Sequence, residues 1–105
     1  MPQFSLYRNN NPNTKASIPY LLDAQSDLLA DLGTRVVIPV AKLNSLGITP
    51  LTRLMPQVDI DGDPCVLLTP QLAGITSQEL GQPVASLAHL RDEIVAALDL
   101  LFTGF

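Results

Sequence analysis

The 105-residue chain has no tryptophan, one cysteine, one histidine and very little charge. A single cysteine, Cys65, excludes an internal disulfide framework and fits a reducing compartment. With only His89 beside it, there is no cluster of soft ligands for zinc, so no metal or other cofactor is expected. Six Lys and Arg against ten Asp and Glu leave a formal charge of −4, the wrong sign for gripping nucleic acid directly. No apolar run approaches the ~18 residues of a membrane span, and the first residues carry no basic stretch followed by an apolar one. The expectation is a soluble cytoplasmic protein with no visible export signal. Charged residues make up 15% of the chain and hydrophobic ones 47%. A surface so short of charge leaves apolar area uncovered by water-binding groups, which a protein partner would cover. The length suits one domain, residues 1–105.

Along the chain, turn-forming clusters separate short apolar runs. Gln3-Phe4-Ser5-Leu6-Tyr7 alternates with period two and reads as a half-buried first strand, with Phe4 on one face and Gln3, Ser5 and Tyr7 on the other. Asn9 to Thr14 is a loop or hairpin tip, and Ile18 to Leu22 is a second strand whose Pro19 points to a sheet edge or an initial bulge. Asp23 to Asp27 is a polar interruption whose aspartates read as turn caps, and Leu28 to Gly33 is an irregular turn closed by glycine. Arg35 to Val40 is β-branched without polar alternation, as in a central strand buried on both faces. Lys42 to Met55 is too broken by Gly47 and Pro50 for one helix, and reads as an excursion whose leucines pack back on the sheet.

Asp61-Gly62 between Val58-Asp59-Ile60 and Cys65 to Leu68 is a hairpin signal, which Pro64 lengthens slightly. Leu72 to Ile75 reads as a corner and Thr76 to Leu80 as a weak strand. Gly81-Gln82-Pro83 then predicts the start of a helix running to Thr103. Its apolar arc holds Val84, Leu87, Leu90, Ile94, Val95, Ala97, Leu98, Leu101 and Phe102. Arg91 stands at the edge of the arc, free to extend past it or to pair with a carboxylate such as Glu79.

The groups that could carry chemistry have plain structural readings. His89 with Glu93 four residues on makes a surface pair rather than a general base, and Cys65 opens a strand that should bury it as an inert thiol. Asp59, Asp61 and Asp63 alternate as in a calcium loop but lack the later bidentate glutamate, so a hairpin tip is the simpler account. No phosphate cradle or nucleophile elbow occurs, and the expectation is not an enzyme. The outer side of the last helical turns, Ala96, Asp99, Leu100 and Thr103, carries one charge in four positions and is a candidate contact surface. Gly104 caps the helix, and Phe105 either docks on its own domain or enters a partner.

The order of these pieces resembles the CcdB family of toxins nearly end to end. The resemblance is carried by Gln3 to Tyr7, Asp23-Ala24-Gln25-Ser26-Asp27-Leu28-Leu29, Arg35 to Val40, Pro56 to Ile60, Leu68-Thr69 with Leu72-Ala73, and Val84 to Leu87 leading to Phe102-Thr103-Gly104-Phe105. It implies a mainly β fold, a five-stranded antiparallel partly open barrel of the CcdB/MazF-like type with a C-terminal α-helix, assembled as a homodimer. It also implies a plasmid-maintenance type of toxin that poisons DNA gyrase through its A subunit and traps cleaved DNA. A CcdA-like antitoxin would neutralise it, and the pair would act as a transcription repressor, reaching operator DNA only as that complex.

Carried over by position, the gyrase-binding set is Ser26, Leu28, Leu29, Asp99, Thr103, Gly104 and Phe105. The antitoxin-binding set is Arg8, Val66 and Leu68. Well-studied members have tryptophan at Thr103 and isoleucine at Phe105, and an indole lost from a hot spot costs ~2 kcal/mol. Two alternatives therefore stay open: a member that binds antitoxin but poisons gyrase weakly or not at all, and a MazF-like ribonuclease toxin.

Overall fold

The computed structural model describes residues 3–29, 31–47 and 51–104. Ile48 and Pro50 of the excursion, and Phe105, lie outside them. Among the described residues, seven antiparallel strands form one curled sheet: β1 Ser5–Asn9, β2 Tyr20–Asp23, β3 Thr34–Lys42, β4 Gln57–Ile60, β5 Asp63–Leu67, β6 Ala73–Thr76 and β7 Leu80–Ser86. The helix α1 is Arg91–Thr103. The strand order is β4-β5-β3-β2-β1-β7, with β6 also on β3. The fold class is the expected one, with more strands than the five anticipated.

The nine-residue β3 organises the sheet. One edge pairs with β2; along the other, Thr34 to Val37 pair with β6 and Val40 to Lys42 with β5. Pro39 stands where the partner changes. Its carbonyl accepts from the Leu68 N–H at 2.8 Å, and in an antiparallel strand a residue's N–H points to the same side as its C=O. The donor that proline lacks would fall in that gap, so the proline costs the ladder nothing. Val37 to Ala41 are buried as expected, but Val36 and Thr34 are exposed where the strand runs out beyond the core.

The main core lies on one face of the sheet, where Leu6, Leu22, Ile38, Val40 and Leu67 meet Ile94 of α1. Each such side chain removed from water stabilises the fold by about 1.5–3 kcal/mol. Beyond β3, Leu43, Leu46 and Met55 pack on Ala41, Val66 and Leu68, so the excursion folds back on the sheet as its leucines predict.

Several local expectations are corrected. The first strand is buried on both faces rather than half-buried, and Phe4 precedes it at φ 66°. Phe4 N–H donates to the Asp23 carbonyl at 2.7 Å and its carbonyl accepts from Leu87 N–H at 2.8 Å, which over-determines this strained backbone. Strand β2 is interior, not an edge, because Pro19 lies just before it. The β4–β5 hairpin is a tight two-residue turn, Ile60 opposite Asp63, with Asp61 at φ 53° and Gly62 at φ 84°. Pro64 does not lengthen it, since β3 pairs with β5 only from Cys65 onward.

Residues 72–75 are not a corner but most of β6, and Ser77–Glu79 is a 3-10 turn rather than strand. The expected N-terminal half of the long helix is instead β7. Pro83 faces Tyr7 at a register shift, so it suits an edge strand as well as a helix start. The free edge of β1 decides between them. Gly81 is required there, since a Cβ would stand 2.8 Å from the Arg8 carbonyl oxygen.

Candidate binding surface

The loop between β2 and β3 turns outward at a 3-10 turn, Asp27–Leu29. Leu28 is 94% exposed, Leu29 50% and Leu32 52%. Three exposed leucines within one loop put more apolar surface in water than a single surface leucine does, which a partner would cover. The turn is fixed by polar contacts. Ser26 Oγ accepts from Leu28 N–H at 3.2 Å and its carbonyl from Leu29 N–H at 3.0 Å. Asp27 Oδ1 accepts from Gln3 N–H at 2.7 Å. The capping reading of Asp27 thus becomes a contact across sequence to the first strand's approach.

At the root of the loop, Asp23 is fully buried and paired with Arg35, whose Nε donates to Asp23 Oδ2 at 3.0 Å. Asp23 Oδ1 also accepts from Gln25 N–H at 3.0 Å. The turn-cap reading of Asp23 is correct as far as it goes but misses the ion pair. Tyr7 lies in the field of both charges. Its phenol pKa is raised, first by burial, then by the Asp23 carboxylate, with Arg35 opposing.

The second exposed apolar region is the outer side of α1. Ile94 and Ala97 are buried and Leu98 and Leu101 half-buried, at the spacing of one helical face. Opposite them Val95, Ala96, Asp99, Phe102 and Thr103 are exposed, Phe102 by 68%. Val95 and Phe102 therefore do not belong to the inward arc. A helix started at Pro83 gives too broad an arc, and the true 13-residue helix has a narrower one. Gly104 ends it in a left-handed conformation at φ 80°, its N–H donating to the Leu100 carbonyl at 3.0 Å. Thr103 Oγ1 donates to the Asp99 carbonyl at 2.7 Å, which occupies its hydroxyl. A groove of about 460 Å³ runs from Leu100 to Leu51 and Leu54 of the excursion.

The two regions are each coherent, with Ser26, Leu28 and Leu29 on the loop and Asp99, Thr103 and Gly104 on the helix end. No hydrogen bond or ion pair among the described residues joins one to the other, and Phe105 lies outside those residues. Arg8, Val66 and Leu68 are not brought together. Arg8 is exposed on β1, its guanidinium 5.9 Å from the Tyr20 ring centre, while Val66 is in β5, separated from β1 by both β2 and β3. Val66 and Leu68 are buried beneath Leu43, Leu46 and Met55, so in this structure they offer no surface.

The sequence pattern of the family described as CcdB protein matches residues 3–104. The chain belongs to the CcdB family. Its fold is shared with a solved structure described as a crystal structure of an Mtb toxin, at a TM-score of 0.71 and 18% identity over 92% of this chain and 99% of the other. It is shared also with the Mycobacterium tuberculosis toxin MazF-mt6, at a TM-score of 0.74 and 16% identity over 93% and 95%. Membership of the CcdB family makes the protein a toxin of a toxin–antitoxin pair, with an antitoxin as partner.

In this CcdB family chain the remaining reactive groups are held by ordinary structure. Burial pushes the Cys65 thiol pKa up, and Asp63 adds to it. His89 is exposed in a 3-10 turn, Ala88–Leu90, ahead of the helix. Arg91 does not pair with Glu79. Its guanidinium lies 5.7 Å from the Phe4 ring centre, and Glu79 closes a capping box with Thr76 instead. No helix among the described residues is long and apolar enough to cross a membrane. Sequence reasoning missed Phe102 as an exposed residue on the outer side of the helix. Its spacing from Val95 and Asp99 would have revealed it had the helix been started at Arg91.

Proposed function

We propose that this protein poisons DNA gyrase by binding the gyrase A subunit and trapping the cleaved DNA complex. The observation that carries the reading is the pair of exposed apolar regions, Leu28-Leu29 and Val95-Phe102, in a chain of the CcdB family. An apolar side chain that is exposed alone and desolvated in a complex is what an interface hot spot requires. The binding set is Ser26, Leu28, Leu29, Asp99, Thr103, Gly104 and Phe105, extended by Phe102. Thr103 carries less contact area than the family's tryptophan, and the neighbouring Phe102 supplies an aromatic ring on the same exposed side.

The poison acts by binding alone and is not an enzyme. It works as a homodimer, in which a second copy sets the loop of one chain and the helix end of the other against the same target. It acts in the cytoplasm, where a CcdA-like antitoxin displaces it from gyrase and joins it in repressing their operon. Arg8 remains an antitoxin contact, since it is exposed, whereas Val66 and Leu68 would need the excursion to move.

The test is supercoiled plasmid incubated with gyrase and the purified protein. Accumulation of linear DNA after detergent and protease treatment supports poisoning. Its absence, with no co-elution with a gyrase A fragment, overturns it. Cleavage of RNA in place of DNA would move the protein to the ribonuclease reading.

A further inference from the structure

The β2–β3 loop buries one side chain among its described residues from Ala24 to Gly33, that of Gln25, at 6% exposure. Its amide bridges two backbone groups. Gln25 Nε2 donates to the Leu29 carbonyl at 2.8 Å, and Gln25 Oε1 accepts from Val36 N–H at 3.1 Å. One of these belongs to the end of the exposed turn and the other to the start of β3. Behind it, Gln25 N–H is held by Asp23, which Arg35 holds in turn. The register of β2 with β3 ends at Asp23 and Val37, and one further backbone bond follows it, Ala24 N–H to the Val36 carbonyl at 3.0 Å. The Gln25 amide takes up the Val36 N–H, the next group of β3 on that side.

We infer that Gln25 is a positioning residue for target binding, fixing the backbone from which Leu28 and Leu29 project. The inference rests on the gyrase-binding reading of those leucines. A primary amide is suited to the place because it donates at one end and accepts at the other without charge. Glutamate has the same length and nearly the same volume, but it sets a carboxylate oxygen against the Leu29 carbonyl, two acceptors facing each other. Gln25 contributes to neither apolar core, so the substitution acts on the loop and leaves the sheet intact. A turn that samples other conformations loses affinity because ordering it on binding is then part of the cost of association.

The test combines amide hydrogen exchange with a double-mutant cycle on the full chain, using Gln25→Glu, Leu28→Ala and the pair, titrated into a gyrase A fragment. The expected result is a Val36 amide that exchanges about tenfold faster in Gln25→Met, which takes away its acceptor, while the Leu22 and Ile38 amides stay protected. Binding falls by about tenfold in Gln25→Glu, and by less than about twofold when the same change is made in Leu28→Ala, because the residue it positions is already gone. Equal losses in both backgrounds would overturn the inference, as would unchanged exchange at Val36 or faster exchange throughout the sheet. Gln25→Met, which cannot bridge the two groups, also carries the binding cycle if Gln25→Glu does not fold. If the unaltered protein binds no gyrase A, the proposed function fails, while the exchange at Val36 decides by itself whether Gln25 braces the loop.

Discussion

The root and the tip of the β2–β3 loop invert the usual partition of side chains. At the root, Asp23 and Arg35 are buried as a pair; five residues beyond Asp23, Leu28 is almost wholly exposed. The core face of the sheet follows the ordinary rule, with Leu6, Leu22, Ile38 and Leu67 inside. The contrast separates two kinds of requirement. A buried ion pair gains little stability over apolar packing, but leaves few arrangements open to the backbone around it. An exposed leucine on a fixed turn is of no use to the isolated chain and suits a surface that will be covered. The helix repeats the division in one element, with Ile94 and Ala97 under its inner side and Val95 and Phe102 on its outer side.

The largest expected effect breaks the root. Asp23→Ala leaves Arg35 charged, buried and unpaired, and should cost about 3–5 kcal/mol in urea unfolding. Replacing both residues by apolar ones of similar volume should recover much of that loss. A single substitution costing under about 1 kcal/mol would show that the charges are not confined as described.

Next comes the helix, whose two sides should respond unequally. Ile94→Ala should cost about 2–5 kcal/mol, because the cavity lies between helix and sheet. Phe102→Ser should stay within about 0.5 kcal/mol of the unaltered protein, since that ring is mostly in water. Thermal unfolding of the two variants side by side reads the difference, and equal losses would contradict the outward placement of Phe102.

The smallest effect is on pH. Burial raises the Cys65 thiol and the Tyr7 phenol above their ordinary values of 9.0 and 10.0. An unfolded chain therefore loses these protons first, and the native state is favoured fully only below those values. Stability should decline as pH rises from about 9 through the native pKa values, and Tyr7→Phe should remove the upper part of that decline. A Tyr7→Phe profile parallel to the original one would place the alkaline sensitivity elsewhere.

Much of this division was legible in the residue pattern, though not all of it. The β-branched run from Arg35 to Val40, the Asp61-Gly62 turn and the Gly104 cap each follow from local chemistry, and each stands in the structure. The segment around Pro83 was not legible, because proline serves the first turn of a helix and the edge of a sheet equally well. Only the free edge of β1, assembled from residues far away in sequence, resolves it. The Asp23–Arg35 pair was hidden for a similar reason. Each residue has an ordinary local role, and their meeting depends on the register of β2 with β3. Leu28 and Leu29 were assigned to the gyrase contact by the family resemblance alone, and the structure adds that both are exposed, whereas the hydrogen bonds of Gln25 needed coordinates. Phe102 was misplaced because an error in where the helix begins widens the arc assigned to its inner face.

The central claim is that the exposed leucine turn binds a gyrase subunit while contributing nothing to the fold. Calorimetric titration of a gyrase A fragment with the unaltered protein and with Leu28→Ala tests it most directly. The account predicts binding by the unaltered protein, a loss of about thirtyfold for Leu28→Ala, equivalent to ~2 kcal/mol, and the same unfolding temperature for both. Equal binding by the two proteins, or none by the unaltered one, would contradict it.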